Sequence, residues 1–400
     1  MPVTTRRWPT PGCFDDVRVL EIGGESGDFC GMLLAGEGAE VIKIEPPEGS
    51  PGRRIGPYYE DRVDKERSLF FWMYNRGKLG VTVDLSQPQG VQRYLRLAET
   101  ADVIIDAQGL NVMDRLELGY ERIARLNKKV VYCSITPFGA TGPWRHFKAS
   151  DIVHQALGGS AFCTGYRQVR EGVWDTPPFM PQSWHSYAIA GEHASVAIAA
   201  ALLYRQINGE GQHIDAAIHD ACAQSTEGTV TRYIYYKRNQ LRDTPQQMRC
   251  ADGRYLAVVT MLLGRPNLAK VLELLKNSGL DAGLGDPESN DPAAPGPDIT
   301  DRLASALSRW AATKTASEAF HTLQGLRVLC APVYPPEELI DDPHTRERED
   351  FVEVAHPELE RSFTYPRHPR RQSVTPWRWG PRAPLLGEHD AEIWKEVLEK

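Results

Sequence analysis

Three short stretches hold the side chains and turns best suited to chemistry. Residues 23–31 (GGESGDFCG) follow an apolar run, and a helix beginning near Gly27 would offer free N–H groups to an anion. The same residues also suit a plain strand-to-helix turn. Their glycines do not fit G-x-G-x-x-G, so no nicotinamide dinucleotide is expected. Arg53 and Arg54, and then Asn75-Arg76-Gly77-Lys78, stand beside candidate strands. Cations at strand ends of a parallel sheet are well placed for phosphates, although solvated surface is the commoner setting for any one of them. His185, His193, His213 and His219 are too dispersed for a metal site, and no metal is expected. Neither a G-x-S-x-G elbow nor a Cys/His pair argues for hydrolase chemistry. The seven cysteines contain no CxxC and read as reduced thiols of a cytosolic protein.

Such groups need a scaffold to position them, and the hydrophobic pattern predicts one. Short apolar, β-branched runs at 17–22, 40–45, 81–85, 102–106 and 130–135 read as buried parallel strands. Between them, 29–35, 88–100 and 112–126 read as helices. This rhythm is that of a doubly wound α/β sheet. Helices are expected over 152–157 and 189–207, with a long helical connection over 213–250. A second unit opens near Cys250, residues 279–299 form a Gly-, Pro- and Asp-rich loop, and a helix closes the chain at 388–398.

A chain of 400 residues allows two or three domains. Its 41% hydrophobic and 25% charged residues are ordinary for a globular protein. A net charge of −7 argues against nucleic acid as the main partner, yet permits a local basic pocket. Residues 1–14 contain two arginines and no apolar run, so they do not read as a secretion signal. Glu192 and His193 interrupt the apolar stretch 187–204, which is therefore not expected to span a membrane. A cytoplasmic location is expected.

Several motifs recur along the chain in a familiar order: GAEVIKIEPP at 38–47, NRGK at 75–78, VTVDL at 81–85, ADVI at 101–104, and LGY at 118–120. SITPFG and TGP follow at 134–143, GEGQ at 209–212, DPH with Arg348 at 342–348, and APLLGEH at 383–389. Each is short, but together they run nearly end to end. In them the chain resembles the family III CoA-transferases, the group that includes formyl-CoA transferase, carnitine CoA-transferase and α-methylacyl-CoA racemase. The resemblance implies a large Rossmann-like domain, a smaller α+β domain, and two chains interlocked like links. It places the large CoA-binding domain at 1–212, a helical linker at 213–249, the small domain at 250–330, and a segment returning to the large domain at 331–400. It also implies a CoA thioester as substrate, attacked by an enzyme carboxylate to give a mixed anhydride and then an enzyme–CoA thioester.

Carried over residue by residue, the resemblance sets Arg115 and Lys148 at the phosphate-bearing end of CoA and Val83 beside adenine. Gly24, Ser26 and Gly27 border the reacting thioester. Two loops depart from the family: Ser26-Gly27-Asp28-Phe29 replaces its Gln and Ala-Gly-Pro, and residues 107–111 (AQGLN) replace Asn-Phe-x-Pro-Gly. The family's nucleophilic Asp, counted back from GEGQ through Gly191, falls on Tyr187. A phenol with an ordinary pKa near 10 is a poor substitute for a carboxylate. Asp151 aligns with the racemases' His-Asp pair, but Ser150 stands at the His position, against racemase chemistry.

The expected role is therefore the non-nucleophilic subunit of a heteromeric CoA-transferase whose homologous partner carries the Asp. Trp174, Phe179, Trp184, Tyr187 and the tyrosines of 233–236 would suit a bulky or aryl acid. A self-sufficient homodimer using Asp175 or Glu192, and a CoA-binding paralogue without turnover, are the alternatives.

Overall fold

The computed structural model describes residues 11–164, 168–170, 173–174, 177–180, 184–226, 228–237, 246–259, 265–280 and 297–398. The apolar runs form β1 (Arg18–Gly23), β2 (Glu40–Glu45), β3 (Leu79–Thr82), β4 (Val103–Ala107) and β5 (Val131–Thr136). Interleaved with them are α1 (Glu25–Gly36), α2 (Leu69–Tyr74), α3 (Pro88–Thr100), α4 (Val112–Arg115) and α5 (Tyr120–Leu126). After α6 (Asp151–Leu157), α7 (Ser160–Cys163) and a hairpin of β6 (Gln168–Arg170) and β7 (Val173–Trp174) comes the long α8 (His185–Asn208). It leads into β8 (Gln212–Ala217), α9 (Ile218–Gln224) and α10 (Gly228–Tyr236).

Six parallel strands make one sheet in the order β3-β2-β1-β4-β5-β8. The chain winds outward from β1 in one direction, then returns and continues from β4 in the other. The crevice between the carboxyl ends of β1 and β4 is thus the topological switch point, where sheets of this kind bind ligands. Strand side chains alternate between the faces. Leu20, Ile22, Ile42 and Ile104 pack on α3 and α5, whereas Val19, Val41, Val103 and Val131 pack on α1, α8 and α9. Each such aliphatic contributes about 1.5–3 kcal/mol by leaving water.

Two compact units divide the chain, one of Met1–Arg242 with Glu347–Lys400 and one of Asp243–Arg346. In the second, α11 (Arg265–Asn277), α12 (Pro297–Ala311) and α13 (Ala316–Gly325) share a core with β9 (Gln246–Arg249), β10 (Tyr255–Val258) and β11 (Cys330–Pro332). Its last elements are α14 (Pro336–Asp341) and α15 (Pro343–Glu347). The first unit resumes with the hairpin β12 (Phe351–His356) and β13 (Arg361–Pro366), and its α16 (Asp390–Leu398) packs on α3 through Ile393 and Trp394.

Several sequence expectations change here. The link expected over 213–249 begins as a strand, because residues 212–217 complete the sheet against β5. The small unit extends past 330, since β11 pairs with β10 and α14 follows it. The helix expected over 112–126 is two helices, broken where Glu117 takes a left-handed φ of 57°. Helix α8 is 24 residues long and apolar enough by length and composition alone to cross a membrane. One of its faces, Tyr187, Ala190, Ala194 and Ile198, is instead buried in the core of the first unit. Most of the loop at 279–299 lies outside the described residues.

Candidate functional site

The Asn75-Arg76-Gly77-Lys78 stretch, open in sequence to a phosphate-binding reading, folds inward. Lys78 Nζ pairs with Glu21 Oε2 at 2.7 Å and donates to Asn75 Oδ1 and the Asp28 carbonyl, each at 2.8 Å. Lys43 Nζ pairs with Glu21 Oε1 at 2.8 Å and with Asp28. All four charged side chains are buried, so two cations and two carboxylates compensate each other between the sheet and α1. Burial pulls the Lys78 pKa down, only partly offset by Glu21 and Asp28. Arg53 is likewise committed: it binds Glu45 through two bonds of 2.7 and 2.8 Å and Glu66 at 2.7 Å. Burial pushes the Glu45 carboxyl up, but the Arg53 hydrogen bonds outweigh it and hold the pKa below its ordinary value. Arg54 alone of these cations reaches the site.

That site is a cavity of about 550 Å³ over the carboxyl ends of the strands, at the switch point. The turns after β1 (Gly23–Ser26), β2 (Glu45, Pro46, Glu48, Gly49), β3 (Val83, Leu85), β4 (Ala107–Gly109) and β5 (Pro137) line it. Pro51, Arg54, Ala149, His154, Tyr187 and Ile218 complete the wall. Gly23 makes the turn possible: its φ is +116°, and a Cβ there would overlap the Ala107 backbone. Gly24, Ser26, Val83 and Tyr187 therefore share one cavity. Gly27 is buried beside them, where a Cβ would crowd that of Ala107, and it serves the packing of α1 on β4. Arg115, in α4, and Lys148, adjacent to Ala149, are exposed and outside the wall. Glu192 is exposed on α8 and also outside it, while Asp175 lies outside the described residues.

Asp151 has a different task. Its carboxylate accepts from the Trp184 and Ser186 N–H groups at 2.9 Å each, from Ser186 Oγ at 2.6 Å and from Gln155 Nε2 at 2.6 Å. It thereby caps α8 from another helix, satisfying donors left free at a helix start. These bonds also hold Trp184 at a left-handed φ of 69°, unusual for a bulky residue. The cap fixes Tyr187, the third residue of α8, in the cavity wall. Burial, then Glu25 and Asp151, pushes the Tyr187 phenol up to about 12, so it stays protonated.

A match to the CoA-transferase family III model spans residues 14–390. The chain belongs to CoA-transferase family III. It is 29% identical over 391 residues to the succinyl-CoA:(R)-benzylsuccinate CoA-transferase subunit BbsE of Thauera aromatica, covering 96% of this chain and 94% of that one. It is 30% identical over 401 residues to the succinyl-CoA:mesaconate CoA-transferase of Haloarcula hispanica, covering 96% of each. Among solved structures it resembles a CAIB/BAIF family protein from Brucella suis, with a TM-score of 0.81 and 26% identity over 97% of this chain and 99% of that one.

Within this family III chain, sequence reasoning missed Glu25, Glu48 and His154 as wall residues. Glu25 opens α1 two residues before the Gly27 at which the sequence suggests a helix start, and Glu48 lies in the turn after β2, beyond the Pro46-Pro47 that closes that strand in sequence. Of the aromatics proposed for an aryl acid, Tyr187 lines the cavity, Phe179 is exposed and outside the wall, and the Trp174 side chain lies outside the described residues. Trp184 packs between Phe70 and Tyr187 with tilted rings, at 4.9 and 5.9 Å between ring centroids.

Proposed function

We propose that this chain binds an acyl-CoA thioester at the switch-point cavity and serves as the non-nucleophilic subunit of a CoA-transferase that passes CoA to a carboxylic acid. The observation that carries this reading is a phenol, Tyr187, raised to about 12 in the cavity wall, at the position where the sequence resemblance sets the family's nucleophilic Asp. In this reading the partner's carboxylate attacks the donor thioester and expels CoA thiolate, giving a mixed anhydride. The thiolate then attacks the enzyme carbonyl, releasing the donor acid and leaving an enzyme–CoA thioester for the acceptor acid. The relative BbsE, itself named a subunit, favours a heteromeric assembly. Exposed apolar side chains on α8 (Val196, Leu203, Ile207) and α10 (Tyr233, Ile234, Tyr235) offer surface to a homologous, interlocked partner. Arg54 at the wall and Arg115 and Lys148 outside it supply cations for the CoA phosphates.

A second reading rests on Glu25, a wall carboxylate whose charge acts on Tyr187. With it as nucleophile the chain would be a self-sufficient homodimer. Incubating the isolated chain with succinyl-CoA, then with hydroxylamine or borohydride, separates the two by intact mass and peptide mapping. No adduct is expected. An adduct on Glu25 would establish the second reading.

A further inference from the structure

His154, on α6, is a wall residue that the transferase reading leaves unused. Its imidazole is wholly buried and borders the cavity with Ile135, Pro137, Tyr187 and Ile218. It packs among rings, 5.4 Å from Phe138 and 6.4 Å from Tyr187 between centroids. Among the described residues neither Nδ1 nor Nε2 has a hydrogen-bond partner. A buried ring with both nitrogens unpaired is costly, and at a pocket wall a bound molecule is one way to meet that cost.

Burial, then His219, draws the His154 pKa down to about 4, with Asp151 opposing. Above pH 5 the ring is therefore neutral and presents one N–H donor and one lone pair. A carboxylate would call for a cation at this point, and a bare alkyl chain would leave both nitrogens unpaired. A hydroxyl, which donates and accepts, can pair with whichever ring nitrogen of a neutral imidazole it meets, in either tautomer.

We propose that His154 is a specificity-determining residue that hydrogen-bonds an uncharged hydroxyl on the acyl group of the bound acyl-CoA. The inference rests on the reading that the cavity takes an acyl-CoA, so affinity for free CoA is measured alongside. The experiment compares butyryl-CoA with 2-, 3- and 4-hydroxybutyryl-CoA by calorimetry, on the wild type, His154→Phe and His154→Gln, at pH 6 and pH 8.

The wild type is expected to bind at least one hydroxyacyl-CoA about tenfold or more tighter than butyryl-CoA, equally at both pH values. His154→Phe is expected to lose that preference, read as the ratio of hydroxyacyl-CoA to butyryl-CoA affinity within the same variant, with free CoA binding as the check that the cavity still forms. His154→Gln, which retains a donor and an acceptor, should keep part of it. A wild type that binds CoA but is indifferent to every hydroxyl overturns the proposal, as does a preference that survives in His154→Phe. A preference that appears only at pH 6 would indicate an imidazolium and also overturns it. Failure of the wild type to bind CoA at all would remove the functional reading and this inference together.

Discussion

Replacing Tyr187 by Asp tests whether the cavity retains the geometry of a nucleophile site without the nucleophile. The ring is 8% exposed and packs against Trp184 at 5.9 Å between centroids, so its removal costs about 3–5 kcal/mol, as for a buried aromatic truncated in a core. A carboxylate at the third residue of α8 recovers about 0.3–1 kcal/mol from the helix dipole. The neighbouring Asp151 carboxylate acts in the opposite direction. A net loss of about 3–4 kcal/mol, at roughly 2 °C per kcal/mol for a unit of this size, lowers Tm by about 6–8 °C. Tyr187→Ala, which loses the same ring without gaining a charge, is the control. After incubation with succinyl-CoA and hydroxylamine, intact mass should reveal an adduct on the introduced carboxylate, and none in the wild type or in Tyr187→Ala. A folded Tyr187→Asp variant that binds CoA yet stays unlabelled would refute the claim that this position is aligned for attack.

Three further outcomes are expected. Arg115→Ala should weaken CoA binding by about 1–3 kcal/mol, the scale of one charge-assisted hydrogen bond; calorimetry showing no change would take Arg115 out of the binding surface. Asp151→Asn cannot accept from all four of its donors, so it should lower stability by about 1–3 kcal/mol and perturb Tyr187 fluorescence or reactivity together with the start of α8. Asp106, at the end of β4, is raised by burial from 3.8 to about 6, against hydrogen bonds from Tyr132 and the Gln108 N–H. Its protonated form favours the fold below about pH 4, and roughly 3 kcal/mol of that advantage is lost as pH rises through 6. The Tm of Asp106→Asn relative to wild type should therefore rise by about 6 °C between pH 4 and pH 7.5, and a flat difference would contradict the burial of that carboxyl.

The sheet was legible because buried parallel strands leave unbroken β-branched runs, and β1, β2, β4 and β5 lie within a residue or two of where those runs predict them. Local pattern does not reveal charge compensation over long sequence separations. Lys78 belongs in the core only because Glu21 and Asp28 come to it from β1 and α1, so its stretch reads as surface until the fold is known. The break between α4 and α5 carries no proline, and its left-handed Glu117 gives no warning in sequence. The strand at 212–217 was hidden by its mixed polarity, since an edge strand keeps exposed residues such as His213 and Asp215. His154 was missed for a related reason: on a short helix of mixed polarity (DIVHQAL) the sequence reveals neither which way the ring faces nor what it faces.

The treatment of Tyr187 by its neighbours bears on what the site is for. A cavity wall with no ligand to position gains nothing from a helix start fixed by a carboxylate with four bonds and by a Trp at an unfavourable backbone angle. Strain of that kind persists where surrounding structure over-determines a position. Here Asp151, Trp184 and Ser186 over-determine the first turn of α8, and the side chain they deliver to the cavity is one that cannot attack a thioester at neutral pH. The economical account is a binding surface whose shape matters and whose nucleophile lies elsewhere, on a partner chain of the same fold. It follows that Tyr187→Phe, which preserves the ring and removes only the hydroxyl, should leave the assembled transferase largely active. A loss of a hundredfold or more in turnover, with CoA affinity intact, would instead give the phenol O–H a direct part in the chemistry.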